Sequence, residues 1–123
     1  MKPIETALLS YGMSGRVFHA PFIQLHPGFN LVGSWERSKK NIENAYPGTS
    51  SYDSMEAVLA DPSIELIIVN TPIYSHFEYA IAALKAGKHI VVEKAFTCNA
   101  SEAEQLVALA KEVNKDRFIK QAY

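Results

Sequence analysis

Short apolar runs alternate with amphipathic stretches along the whole chain, and this alternation sets the expected elements. Residues 4–10 include a run, Ala7, Leu8 and Leu9, whose near-continuous apolar character fits a strand buried on both faces. A helical stretch follows from about Met13. Pro21 should break or kink it into two short pieces that end before Pro27-Gly28. FNLVGSW (29–35) reads as the second strand, and a helical stretch with Lys39, Lys40 and Ile42 runs on to Pro47-Gly48. Ser51 and Tyr52 mark a very short third strand. Asp53 then reads as the cap of a helix, with Glu56 three residues on, and Asp61-Pro62 stops it. LIIVN (66–70) is the clearest strand. Thr71-Pro72 ends it, and Ser75 with Glu78 makes a second capping box before YAIAALKA, with Gly87 as the helix stop. HIVVE (89–93) is a further buried strand. Asn99 or Ser101 caps a long helix to about Val113, and FIKQA (118–122) reads as a last strand.

Strands that alternate with helices argue for β-α-β units with right-handed crossovers. The expected fold is a three-layer α/β domain with one doubly wound parallel sheet, made by residues 1–123 as a single unit. In such sheets ligands bind beyond the carboxyl ends of the strands, at the point where the strand order reverses. The residues to weigh are therefore those that follow each strand.

The first strand runs into Ser10-Tyr11-Gly12-Met13-Ser14-Gly15, which reads S-x-G-x-x-G. This is one residue short of the dinucleotide fingerprint G-x-G-x-x-G. Gly12 and Gly15 hold the positions that let backbone approach a pyrophosphate and let the helix pack on the strand, and Ser10 replaces the turn glycine. The anion would rest on the N–H groups that open the helix. Taken alone, two glycines after a strand also fit a simple turn. After the second strand come Glu36 and Arg37. Glu36 lies about 20 positions past the loop, where a dinucleotide site needs an acceptor for the adenine ribose. Arg37 suits a 2′-phosphate, which Glu36 would repel, and Ser38, Lys39 and Lys40 add phosphate-compatible groups. The cofactor reading is accordingly NAD(P), with a slight lean to NADP.

Asn70, Thr71 and Pro72 follow the LIIVN strand, and Asn70 and Thr71 are placed to bond a ribose or the diphosphate. His76 fits a helix-start packing role as well as a cleft edge. Glu93 and Lys94 leave a buried strand together, where charges need a partner or a cleft. Lys94 is the candidate to donate a proton or polarise a substrate oxygen. His19, His26 and His89 receive no role.

Composition narrows the class. A formal net charge of −1 gives no basic surface for nucleic acid. The apolar runs are too short for a transmembrane span, and the N-terminus lacks a secretory h-region. The single cysteine, Cys98, forms no internal disulfide and fits a cytoplasmic protein. The histidines and Cys98 show no zinc-ligand spacing, so no metal site is expected.

YGMSGRVFHAPF (11–22), NTPxxxH (70–76) and AGKHIVVEK (86–94), in this order and spacing, resemble the glucose–fructose oxidoreductase / inositol dehydrogenase (Gfo/Idh/MocA) family. The loop is most similar to the branch with NADP-dependent scyllo-inositol and related sugar dehydrogenases. The resemblance implies an NAD(P)-binding Rossmann domain that serves hydride transfer between nicotinamide and a sugar or polyol. It implies that Gly12, Met13, Ser14 and Gly15 hold the pyrophosphate and that Glu36 and Arg37 meet the adenine ribose. Asn70, Thr71 and Pro72 would line the cleft with His76 at its edge, Glu93 would touch the nicotinamide ribose, and Lys94 would reach the substrate. Ser10 and Ala95 depart from the pattern; Ala95 stands where the family has a proline that is commonly cis. The family's second, substrate-binding and oligomerising domain is absent, so the expectation is a cofactor domain that binds nucleotide but does not turn over. Two rival readings stay open. One is a non-catalytic nucleotide-binding or partner-docking module, which Ser10 and Ala95 favour. The other is a Rossmann-like methyltransferase, in which Glu93-Lys94 has no place.

Overall fold

The computed structural model describes residues 2–36, 39–94, 97–113 and, as backbone, 119–122. Arg37, Ser38, Ala95, Phe118 and Tyr123 from the sequence reading lie outside the described residues. Strands β1 (Ile4–Leu8), β2 (Phe29–Trp35), β3 (Ser50–Tyr52), β4 (Leu66–Val69), β5 (His89–Glu93) and β6 (Ile119–Ala122) all pair in parallel. Their order is β3-β2-β1-β4-β5-β6. The sequence order reverses between β1 and β4, so the crevice beyond their carboxyl ends is the switch point of a doubly wound sheet.

Strand periodicity explains the three layers. Ala7 and Leu9, then Ile67 and Val69, then Ile90 and Val92 face one side. There they pack with Val58 of α3 (Met55–Ala60), Ala80, Ala83 and Leu84 of α4 (Ile73–Lys85) and Leu106 of α5 (Ala100–Val113). Leu8, Leu31, Leu66 and Ile68 face the other side, against Ala20 of α1 (Ala20–Leu25) and Ile42 of α2 (Asn41–Ala45). A strand that buries both faces must be apolar at every position, which is why LIIV carries no polar alternation.

Several boundaries differ from the sequence expectation, each because a side chain claims a backbone group. β1 ends at Leu8 and β4 at Val69, where 4–10 and 66–70 were expected, because Ser10 and Asn70 leave the ladder to bond each other. The stretch after the glycine loop breaks before Pro21, not at it. A π-helical turn (Gly15–His19) precedes α1, and Pro21 occupies its first turn, where a missing N–H costs nothing. Lys39 and Lys40 precede α2 because Glu36 accepts from the amides of Asn41 and Ile42 and so fixes where the helix begins. The cap of α3 is Ser54, which accepts from the Ala57 amide, and not Asp53. α4 opens at Ile73, two residues before the expected box. Ser75 lies inside its first turn and donates to the Pro72 carbonyl. α5 starts as expected after Asn99, whose side chain accepts from the Glu102 amide while Glu102 accepts from that of Cys98.

Gly87 ends α4 at φ +83°, a conformation that side chains disfavour. Its amide donates to Leu84 and that of Lys88 to Ala83, the paired bonds of a Schellman stop. Lys88 is then carried inward. It is 5% exposed, and its ammonium donates to the Asp61 and Ile64 carbonyls at 2.7 Å each.

Candidate functional site

The glycine loop is shaped from three directions. Gly12 N donates to Ser10 Oγ at 3.1 Å, so the serine hydroxyl takes over the turn-closing role that a first glycine would serve by flexibility. Arg16 N donates to the Gly12 carbonyl and closes the first helical turn. The amides of Met13, Ser14 and Gly15 precede that bond and have no partner within the helix, the arrangement that suits an anion. Gly15 is required by space. A Cβ there would fall 2.3 Å from the Ser10 carbonyl oxygen, below any real contact, so only glycine lets the helix press on the strand end.

Asn70 braces the loop from β4. Its Oδ1 accepts from Ser10 N at 3.0 Å and its Nδ2 donates to Ser10 O at 2.8 Å, with Ser14 Oγ at 3.3 Å. The residue is 5% exposed. Its amide thus braces the loop backbone, and Oδ1, which accepts from Ser10 N, has a second acceptor site. His76 is 1% exposed beneath the start of α4, with Nε2 2.7 Å from the Thr71 carbonyl oxygen. This is the helix-start packing role, and it places the ring below the cleft wall.

A cleft of about 520 Å³ opens beyond the strand ends. Of the sequence candidates, Ser10, Tyr11, Gly12, Glu36, Thr71 and Pro72 line it. Met13, Ser14, Gly15, Asn70, His76, Glu93 and Lys94 are not in its wall. The first three head the adjoining helix, and Glu93 and exposed Lys94 stand at the end of β5. Lys39, one of the phosphate-compatible groups of the sequence, lines the cleft too, as do Arg16, Trp35, Asn41, Tyr74, Ser75 and Tyr79, to which the sequence assigns no ligand role. Trp35 and Tyr79 meet edge to face with centroids 5.8 Å apart, giving the cleft an aromatic wall. Arg16 had a readable signal, since it is the first residue after the last loop glycine. Tyr79 had none, because it depends on α4 bringing the ring against Trp35 at the end of β2.

Electrostatics differ from one part of the cleft to another. Glu36 Oε1 accepts from Asn41 N at 3.3 Å, and Oε2 accepts from Ile42 N at 3.0 Å and from the Ser51 hydroxyl at 2.9 Å. Each carboxylate oxygen has two acceptor sites, so Oε1 keeps one for a ribose hydroxyl. The Tyr11 hydroxyl is pushed above its ordinary pKa by burial first, then by Tyr46 and Glu36, against the opposing pull of Arg16. It therefore stays a neutral donor at physiological pH. These residues fit a dinucleotide: backbone donors for a pyrophosphate, an acidic acceptor beyond β2, and aromatic and cationic groups between. Among the described residues no group of three or more His, Cys, Asp or Glu could hold a metal ion, and no helix is long and apolar enough to cross a membrane.

Comparison with known proteins agrees with this geometry. An oxidoreductase of Schizosaccharomyces pombe is 40% identical over 119 residues, 93% of this chain and 32% of that protein. The scyllo-inositol 2-dehydrogenase (NADP(+)) of Bacillus subtilis is 35% identical over 109 residues, 89% of this chain and 30% of that protein. A crystallised oxidoreductase of Bacteroides fragilis superposes with a TM-score of 0.94 at 45% identity, covering 100% of this chain and 38% of that one. The chain thus spans about a third of the length of the relatives it matches. The model of the Gfo/Idh/MocA oxidoreductase family, described by its NAD-binding Rossmann fold, matches residues 4–120. The braced glycine loop at the switch point and this match across nearly the whole sequence place the chain in that family, as its NAD(P)-binding Rossmann domain.

Proposed function

We propose that this chain is the cofactor domain of an NADP-preferring dehydrogenase acting on a sugar or polyol, with the substrate-binding and oligomerising part supplied by a second domain. The observation that carries the reading is the Ser10–Gly15 loop, held open at the switch point by Asn70 and pressed to the strand by Gly15. The NADP preference draws on Lys39 in the cleft wall and on the NADP(+) named for the Bacillus subtilis relative, which also supports a polyol substrate. Arg37 is proposed to share the 2′-phosphate with Lys39. The lone cysteine fits a cytoplasmic setting.

The amides of Met13, Ser14 and Gly15 hold the pyrophosphate, and Glu36 Oε1 accepts from the adenine ribose. Thr71 and Pro72 form the opposite wall. Glu93 accepts from the nicotinamide ribose. Lys94, exposed at the end of β5, holds a proton for the substrate oxygen whose carbon exchanges hydride. A bound nicotinamide supplies the hydride. Turnover needs a wall that excludes water and orients the substrate, so the 123-residue chain alone is expected to bind without catalysis. One observation favours the rival, non-catalytic module: Ser10 Oγ occupies the Gly12 amide, leaving one fewer backbone donor for the phosphates.

Trp35 is the only tryptophan and lines the cleft, so it reports binding directly. Titration with NADPH and with NADH should quench its emission and transfer energy to the reduced nicotinamide, with NADPH the tighter ligand. Tighter NADH would return the choice to Glu36. No response to either, checked by calorimetry, would overturn the cofactor reading.

A further inference from the structure

His19, passed over in the sequence, meets the Glu93 carboxylate: its Nε2 bonds Oε1 of the residue that ends β5. The partners lie 74 positions apart, and their side chains are 15% and 24% exposed. His19 closes the π-helical turn, in which Ala20 N donates to Gly15 O across five residues. Such widened turns gather at functional sites. This one is not shaped by burying apolar surface, because Val17 and Phe18 on the same turn remain 51% and 60% exposed. The side chain it carries to the sheet is the polar one.

A dinucleotide that crosses the switch point places its adenosine half over the β2 side, where Glu36 and Lys39 stand, and its pyrophosphate over the glycine loop. The nicotinamide half must then pass over β4 and β5. Glu93 is at the carboxyl end of β5, with Lys94 next along the chain. His19 engages one Glu93 oxygen and leaves the other to accept from a ribose hydroxyl.

From this placement we infer that His19 is a positioning residue that fixes the Glu93 carboxylate, so that the pair sets the grip on the nicotinamide half of a bound dinucleotide and leaves the adenosine half untouched. The inference rests on the cofactor reading above. It also ties the glycine loop to the end of β5, since one short turn separates Gly15 from His19.

The test compares whole and half ligands on the full 123-residue chain. Affinities for NADPH and for 2′,5′-ADP, with NADH and ADP in parallel, are measured for wild type, His19→Ala, His19→Gln and Glu93→Gln. His19→Ala should weaken NADPH roughly tenfold, as for loss of a hydrogen bond to a charged group, and leave 2′,5′-ADP within about twofold. His19→Gln keeps a neutral donor and should recover most of the loss. Glu93→Gln should weaken NADPH alone, and adding it to His19→Ala should bring little further loss. Equal weakening of both ligands would mean a merely structural contact and overturn the inference, as would no change in either. Wild type that binds neither ligand would overturn the dinucleotide reading itself. If His19→Ala fails to fold, His19→Phe, which keeps most of the ring volume and removes the bond to Glu93, decides between the same outcomes.

Discussion

Glu36 and Glu93 both end buried strands, yet their carboxylates are used in opposite ways. Glu36 serves its own β-α unit: its partners are five, six and fifteen residues away. Glu93 reaches across the sheet to His19, 74 residues back. The first arrangement builds a helix start and leaves one acceptor over for a ligand. The second joins the turn that follows the glycine loop to the end of β5. Local polar contacts fix elements, and long-range contacts fix the relation between elements. In this domain the second kind is expected to govern ligand geometry, and the first kind stability.

Asn70 is the strongest long-range case, so its loss should have the largest effect. Asn70→Ala removes the partners of Ser10 N and Ser10 O at a site 5% exposed. Leaving buried backbone groups unpaired predicts a loss of about 2–4 kcal/mol, read by urea unfolding, and loss of the Trp35 response to NADPH. Gly15→Ala should be comparably severe, since its Cβ meets backbone at 2.3 Å and not a movable side-chain tip. A stable Asn70→Ala variant with undiminished binding would show that the loop keeps its shape without the brace.

Glu36→Ala tests the local arrangement. It removes a charged cap from α2 and the partner of the Ser51 hydroxyl, for an expected loss of about 1–2 kcal/mol. It should also raise the NADPH-to-NADH affinity ratio, because a negative charge beside the 2′-phosphate is gone. A ratio that falls instead would mean that Glu36 holds the ribose of NADP more tightly than that of NAD, against the expected repulsion.

The same local-versus-distant distinction decided what the sequence revealed. The parallel sheet was legible because both-face burial writes continuous apolar runs such as LIIV, and the helix stop at Gly87 because only glycine takes its φ readily. Ser10 to Gly15 and Glu36 were legible by position, since chain spacing alone puts them at strand ends. What each group bonds was not. Asn70 appears in the sequence as a ligand contact, and nothing local signals that its amide also bonds Ser10, 60 residues away. His19 and Tyr79 carry no local signal at all, for their partners come from other β-α units. The misplaced helix starts have the same cause on a smaller scale. Lys39 and Lys40 have good helix propensity, but the Glu36 carboxylate outside the helix decides where it begins.

Tyr52 and Asp61, nine residues apart, extend the local class to pH. Their 2.7 Å hydrogen bond is the main cause that lowers the Asp61 pKa, helped by the Ser63 hydroxyl and amide, and opposed by burial. A carboxyl lowered on folding contributes stability above its unfolded value, about 4, and loses it as pH falls through the folded value. The Tyr52 hydroxyl is raised, by burial first and then by Asp61. Its contribution is complete below the unfolded value, about 10, and is lost as pH rises beyond it. Tyr52→Phe should therefore cost about 1 kcal/mol near neutrality and flatten the fall in stability at both extremes of pH. A pH–stability curve parallel to wild type at both ends would disprove this assignment.

Glu93→Gln should change stability least, by less than about 1 kcal/mol, because both partners keep some contact with water and an amide can still accept from His19. This small effect sharpens the contrast with Glu36→Ala. The residue whose carboxylate builds a helix start should show its loss in unfolding, and the residue whose carboxylate joins two elements should show it in ligand affinity. Measured side by side, unfolding free energy and NADPH affinity should rank the two variants in opposite order. If Glu93→Gln instead unfolds the protein as readily as Glu36→Ala, the long-range pair belongs to the scaffold, and the grip on the nicotinamide half must come from residues other than His19 and Glu93.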